Sequence, residues 1–218
     1  MIITKAKPTQ DVLDMLGNVK KVLLTGCGEC STTCRTGGVE ELDAMEKFLT
    51  ENGYEVVGKC VPQLSCNKNL MKRELKAFKD SGYEAVVVMS CGDGTQTVAG
   101  LVDSPVYPAN DTMFLGEIER LTLFSEACRM CGDCVLGKTG GVCPITKCAK
   151  SLVNGPCGGA KNGKCETNPD VECGWILIYD KLKKLGQLDK LYVANDDKGY
   201  KKNLYPMTIN LKEDAANE

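Results

Sequence analysis

The sequence predicts an α/β protein: an open, mainly parallel sheet with helices, followed by a small loop-rich metal-cluster module and a C-terminal helix and arm. Three observations carry that expectation. Short apolar runs alternate with segments of helical period over the first 124 residues. From residue 128 onward, Cys, Gly and Asn replace that alternation. Finally, 14 of the 218 residues are Cys and none is His.

The elements follow in order. KKVLLTG, ending at Gly26, reads as a short buried strand. VEELDAMEKFLTENG places Val39, Leu42, Met45, Phe48 and Leu49 on one helical face, with Gly53 as its stop. YEVVGKCV is the next strand. NKNLMKRELKAFKDSG sets Met71, Leu75 and Phe78 on one face, with Asn67 as N-cap and Gly82 as stop. EAVVVMS is almost wholly apolar, as befits the centre of a parallel sheet covered on both faces. CGDGTQTVAGLV resembles a glycine turn opening a helix. Strand and helix in alternation, with short connections, give a parallel sheet.

Residues 128–173 hold eight Cys among Gly- and Asn-rich stretches and offer too few apolar residues for a core of their own. Metal is expected to supply the folding energy there. GWILIYDKLKKLG then sets Trp175, Ile178, Leu182 and Leu185 along one helical face, read here as a docking face for a partner, the alternative being that it packs on the α/β domain. The domain plan is therefore an α/β domain with one Cys site over 1–124, a cysteine-rich iron–sulfur module with its helix over 125–192, and an extended partner-docking arm over 193–218.

Composition removes several functions. Without His there is no Ser-His or Cys-His catalysis, no Rieske centre and no mixed Cys/His zinc site. A formal charge of −2 gives no signature for nucleic acid or an anionic membrane. No run of 18 apolar residues is present, and MIITKAKPTQDVLDMLG carries neither an apolar h-region nor a cleavage site. The expectation is a cytoplasmic chain with reduced thiols, where this density of Cys points to metal. A dinucleotide loop is not completed either: Thr97 stands where CGDGTQ would need its third Gly, and Ser31 does so in TGCGECS.

The cysteines fall into constellations. Cys27, Cys30 and Cys34 share one loop after the first strand, a spacing suited to an iron–sulfur cluster. Its fourth ligand comes from Cys91, at the tip of the third strand, or from Cys66, after the second. All three loops open on the sheet edge where ligands bind in such folds. Cys60, inside a strand, reads as a core thiol. Cys128, Cys131 and Cys134 reproduce the ferredoxin triplet, and Cys143 precedes Pro144 as the fourth ferredoxin Cys does. Cys148, Cys157, Cys165 and Cys173 complete a second set of four. Two to three [4Fe–4S] clusters, most simply three, would use these thirteen thiols; the last set would equally suit a structural zinc.

The run CGDCVLGKTGGVCPITKCAKSLVNGPCGGAKNGKCETNPDVECGWILIYDKLKKLGQLDKL resembles the small cysteine-rich subunit of the methylenetetrahydrofolate reductases of acetogenic bacteria. The resemblance extends through VYPANDTMFLG, SCGDGTQTVAG and the CGECSTTC loop, over most of residues 20–192. It implies an electron-transfer subunit, not itself catalytic, in the methyl branch of one-carbon fixation. Its partners would be a larger flavin-bearing subunit that reduces methylenetetrahydrofolate and an external donor such as ferredoxin. No flavin is expected on this chain. The alternatives are a zinc-binding structural or adaptor subunit, and a self-sufficient redox enzyme with a substrate-binding cluster.

Overall fold

The computed structural model describes residues 1–196 and 206–211 and divides into two compact units, Met1–Ser125 and Glu126–Glu218. The first begins with strand β1 (Ile2–Ala6) and helix α1 (Thr9–Leu16), neither of which the sequence reading anticipated. Strand β2 (Lys21–Thr25), the short helix α2 (Cys30–Thr33) and helix α3 (Val39–Glu51) follow. Then come β3 (Glu55–Cys60), α4 (Lys68–Lys76), β4 (Ala85–Val88), α5 (Gly92–Ala99) and β5 (Val106–Pro108).

Strands β3-β2-β4-β5 form a four-stranded sheet whose neighbours all pair in parallel. Successive side chains alternate across it, as a strand's period of two requires. Val22, Leu24 and Val87 join Val12, Leu16, Leu42 and Leu49 in one core, while Leu23, Val86 and Val88 join Met71, Leu75 and Val98 in another. Each face is sealed by helices, which is why β4 is apolar at every position.

A second, antiparallel sheet has the order β1-β6-β7, built from β6 (Asn110–Arg120) and β7 (Leu123–Cys128). Ile2 pairs with Leu115 and Ala6 with Asn110, so the start of the chain is bound to a strand far along it.

Three expectations about faces are corrected. Val39, at the first turn of α3, is 62% exposed, the core on that side being covered by Leu42, Met45 and Leu49 with Phe48 packed against them. Helix α4 stops at Lys76; Phe78 lies in the turn beyond it, yet still packs on the core of Met71 and Leu75.

The third concerns the second unit, which contains helices α6 (Pro144–Lys147) and α7 (Gly174–Lys184). Its core is small: Cys173, Trp175, Ile178 and Leu182, backed by Val142, Cys148, Leu152 and Ala160. The stripe on α7 expected to face a partner is thus covered within its own unit, and Trp175 Nε1 donates to the Leu152 carbonyl at 3.0 Å. Leu185 caps the helix and is exposed, not part of that face. The proposed arm over 193–218 lies largely outside the described residues, including Lys198, Lys201 and Lys202.

Candidate metal centres

Because β2, β3 and β4 run parallel, their C-terminal ends open on one edge. Cys27 lies two residues past β2, Cys66 in the connection from β3 to α4, and Cys91 at the N-cap of α5. The loops are stitched by backbone bonds: Gly26 N–H to the Cys60 carbonyl (2.9 Å), Gly28 N–H to that of Pro62 (2.8 Å) and Met89 N–H to that of Thr25 (2.7 Å). The Ser65 hydroxyl donates to the Gly26 carbonyl. A β-carbon on Gly94 would come 2.9 Å from Ser65 Cβ, so α5 approaches this loop as only glycine permits.

Cys27 and Cys91 are buried and Cys66 is exposed. Burial pushes the Cys66 thiol up, and the charges of Asp93, Cys91 and Cys27 push in the same direction. Cys91 is raised chiefly by burial, against the backbone N–H groups of Gly94 and Asp93, which favour its thiolate. The three thiols thus lie within electrostatic reach of one another. A cation among them would relieve both the burial and the mutual repulsion.

The CGECSTTC loop points two ways. Cys27 Sγ lies 3.9 Å from the Gln63 carbonyl, whereas Cys34 Sγ lies 3.9 Å from the Ile2 carbonyl on β1. Cys30 opens α2 and is half-buried. The loop is held by the buried Thr4–Thr36 hydroxyl pair (2.6 Å) and by Asn110 Nδ2 donating to the Thr36 carbonyl (3.1 Å). Of the two candidates for the fourth ligand, both Cys91 and Cys66 are gathered with Cys27. Cys60, by contrast, packs against the Leu23–Met71 core, and burial, followed by the charge of Glu74, pushes its thiol up to about 12.

In the second unit, Cys128 ends β7 and its sulfur accepts the Met130 N–H at 3.2 Å. Met130 achieves this with φ 50°, a left-handed conformation uncommon outside glycine. Cys131 is half-buried and Cys134 exposed. Cys143 caps α6, Cys148 follows it, and Cys173 caps α7. Cys165 N–H donates to the Val171 carbonyl (3.0 Å) and Cys173 N–H to that of Gly163 (2.8 Å), so a small hairpin carries both. Cys157 Sγ accepts the Gly159 N–H at 3.5 Å. The Cys165 thiol is held below its ordinary range by the Thr167 hydroxyl, 3.1 Å away, and then by backbone N–H of Thr167.

Lys150 sits beside this pair of thiols. Its hydrogen bond to Glu166 raises its pKa, and the nearby charges of Cys157 and Cys165 raise it further. Lys150 is thus a cation that the fold brings within electrostatic reach of Cys157 and Cys165.

The donor set fits a soft metal. No disulfide joins any of the 14 cysteines, and soft thiolates without imidazole suit iron–sulfur clusters or a four-thiolate zinc. The sulfurs of Cys128 and Cys157 accept the N–H two residues on, and nearby backbone N–H groups favour the thiolates of Cys91 and Cys165. Such bonds stabilise thiolate charge and are among the interactions that set cluster potentials. Among the described residues, no three Cys, Asp or Glu side chains converge tightly enough to hold a single ion. Sequence reasoning could not find the N–H···S contacts; the only trace is the Gly158–Gly159 pair after Cys157.

Together these features define a two-unit α/β protein with grouped cysteines outside any disulfide. Residues 107–201 match the family described as Methylene-tetrahydrofolate reductase C terminal, somewhat under half of the chain, and support a relationship to the methylenetetrahydrofolate reductases. The match includes all eight cysteines of the second unit and none of Cys27, Cys30, Cys34, Cys66 and Cys91. Comparison with curated proteins and with solved structures gave no match. Among the described residues, no helix is long and apolar enough to cross a membrane.

Proposed function

We propose that this chain is an electron-transfer subunit of a cytoplasmic methylenetetrahydrofolate reductase, passing electrons from an external donor such as ferredoxin to a flavin-bearing partner. In this reading Cys27, Cys66 and Cys91 hold one metal group, with Cys30 and Cys34 supplying what remains. Cys128, Cys131, Cys134 and Cys143 serve a second, and Cys148, Cys157, Cys165 and Cys173 a third. A [4Fe–4S] cluster supplies one-electron storage with little change in geometry. The chain's own residues keep the thiolates charged through backbone N–H donors, offset that charge with Lys150, and limit water around Cys27 and Cys91 by burial.

The observation that carries the reading is the set of cysteines outside any disulfide in which the Cys128 and Cys157 sulfurs accept backbone N–H bonds. A structural zinc at the last four cysteines is the second reading. It is favoured by Cys148 and Cys173, which belong to the small apolar core beneath α7. The test is reduction of the anaerobically prepared chain by dithionite. A visible absorption band should bleach, while methylenetetrahydrofolate is left unchanged until a flavin-bearing subunit is added. Turnover of the folate by the isolated chain, or no bleachable band, would overturn the proposal.

A further inference from the structure

We infer that the exposed face of α4 is the docking surface for an acidic one-electron carrier protein, an inference that rests on the electron-transfer reading above. Residues 68–79 hold four Lys and one Arg against the single Glu74, inside a chain whose formal charge is −2. Lys68, Lys72 and Lys76 recur at intervals of four on α4, and Lys79 follows in the next turn. All four are exposed. The ion pair recorded on this helix joins Arg73 to Glu74, so among the described residues the lysines are left out of it.

Like charges at this spacing oppose helix formation, so the stripe is a cost to α4 that its own fold does not require. The helix is nevertheless held firmly. Met71 and Leu75, on the flank next to the stripe, are buried in the core, and Asn67 Oδ1 caps it by accepting from Asn69 N–H and Leu70 N–H at 3.1 Å each. Lys72, Lys76 and Lys79 rim a groove of about 460 Å³ with Leu75 and Leu101 in its lining and Asp103 as its one acidic residue. A fixed row of cations beside a concavity fits the carboxylates of a protein surface.

Position supplies the second argument. The stripe starts two residues after Cys66, and Cys66 is the exposed member of its group, Cys27 and Cys91 being buried. The groove rimmed by Lys72, Lys76 and Lys79 lies toward the other end of this 9-residue helix, about 13 Å along it, so a carrier laid along the whole stripe covers both the groove and Lys68, the lysine next to Cys66 in the chain. Each encounter passes one electron: the carrier is oxidised by one and this subunit reduced by one, with no bond made and no proton moved. Such encounters are small and transient and are steered by complementary charge, which the stripe provides. The lack of exposed large apolar residues on α4 argues against insertion into a bilayer.

The test uses the full anaerobically prepared chain and calorimetric titration with an acidic bacterial ferredoxin, with basic cytochrome c, a DNA duplex and phosphatidylserine vesicles as comparisons. Ferredoxin should bind at low salt and weaken about tenfold or more as ionic strength rises to about 0.2 M. The variant with Lys68→Glu, Lys72→Glu and Lys76→Glu should lose about tenfold or more in affinity at low salt while keeping its helix content and iron. The matching Lys→Arg variant should bind like the parent chain. Unchanged ferredoxin binding by the Glu variant, or binding of DNA or vesicles but not ferredoxin, would overturn the inference. Metal analysis of the same samples judges the electron-transfer reading separately: stripe-dependent binding by a chain without iron would keep the surface and discard that reading.

Discussion

The two units reach stability by different means. Met1–Ser125 has two apolar cores on opposite faces of a parallel sheet, with Val22, Leu23, Leu24, Val86, Val87 and Val88 all fully buried. Glu126–Glu218 has one core of four buried residues under α7 and eight cysteines distributed through turns. Burial at about 25 cal/mol per Å² can offset chain entropy in the first unit, but a core as small as the second leaves a deficit. The lesson is that cysteine has two meanings here. Under the proposed metal binding, thiols in the first unit are added to a fold with two apolar cores, and in the second they would make up for a small one.

The largest expected effect breaks that contrast directly. Cys131→Ser should remove one metal group and the ordered fold of the second unit, because metal binding there is folding energy. Hydrogen exchange should show amides of 128–184 becoming fast while those of β2 and β4 stay protected. Equal protection in both units would show that the second has an adequate core without metal.

Leu24→Ala reverses the experiment. Leu24 is fully buried in the sheet core, and its truncation should cost about 2–5 kcal/mol in denaturant unfolding of the first unit. Iron in the second unit should remain. Loss of iron from both units at low denaturant would mean that they fold as one.

A smaller effect sharpens the distinction between ligand and core thiol. Cys60→Ala should leave the metal content unchanged, whereas Cys91→Ala should lower it. The pH dependence has a definite sign. The folded Cys60 thiol is raised from 9.0 to about 12, so its protonated form favours the fold. That contribution is fully present below pH 9 and is lost as pH rises toward 12. Thermal unfolding between these limits should therefore fall less steeply for Cys60→Ala than for the parent. Equal slopes, or iron loss in Cys60→Ala, would move Cys60 into the ligand set.

The parallel sheet was legible in the sequence because EAVVVMS and KKVLLTG are short apolar runs between helical periods, and topology then fixes which loops share an edge. The antiparallel sheet was not. Its long strand β6 leaves Met113 and Ile118 about half exposed, so no clean alternation marks it, and β1 finds its partner more than a hundred residues away. The grouping of Cys27, Cys66 and Cys91 followed from that shared edge. The divergence of Cys34 toward β1 did not, because it depends on a strand the pattern never announced. The apolar stripe on α7 was visible, but sequence could not say that Val142 and Leu152 of its own unit would cover it. The N–H···S contacts depend on backbone angles such as that of Met130, which residue identity does not encode.

One measurement bears on the central claim most directly: iron, acid-labile sulfide and zinc per chain in material purified without oxygen. Two to three [4Fe–4S] clusters predict iron and sulfide in equal amounts, about eight to twelve of each per chain. Zinc with almost no acid-labile sulfide would contradict the account.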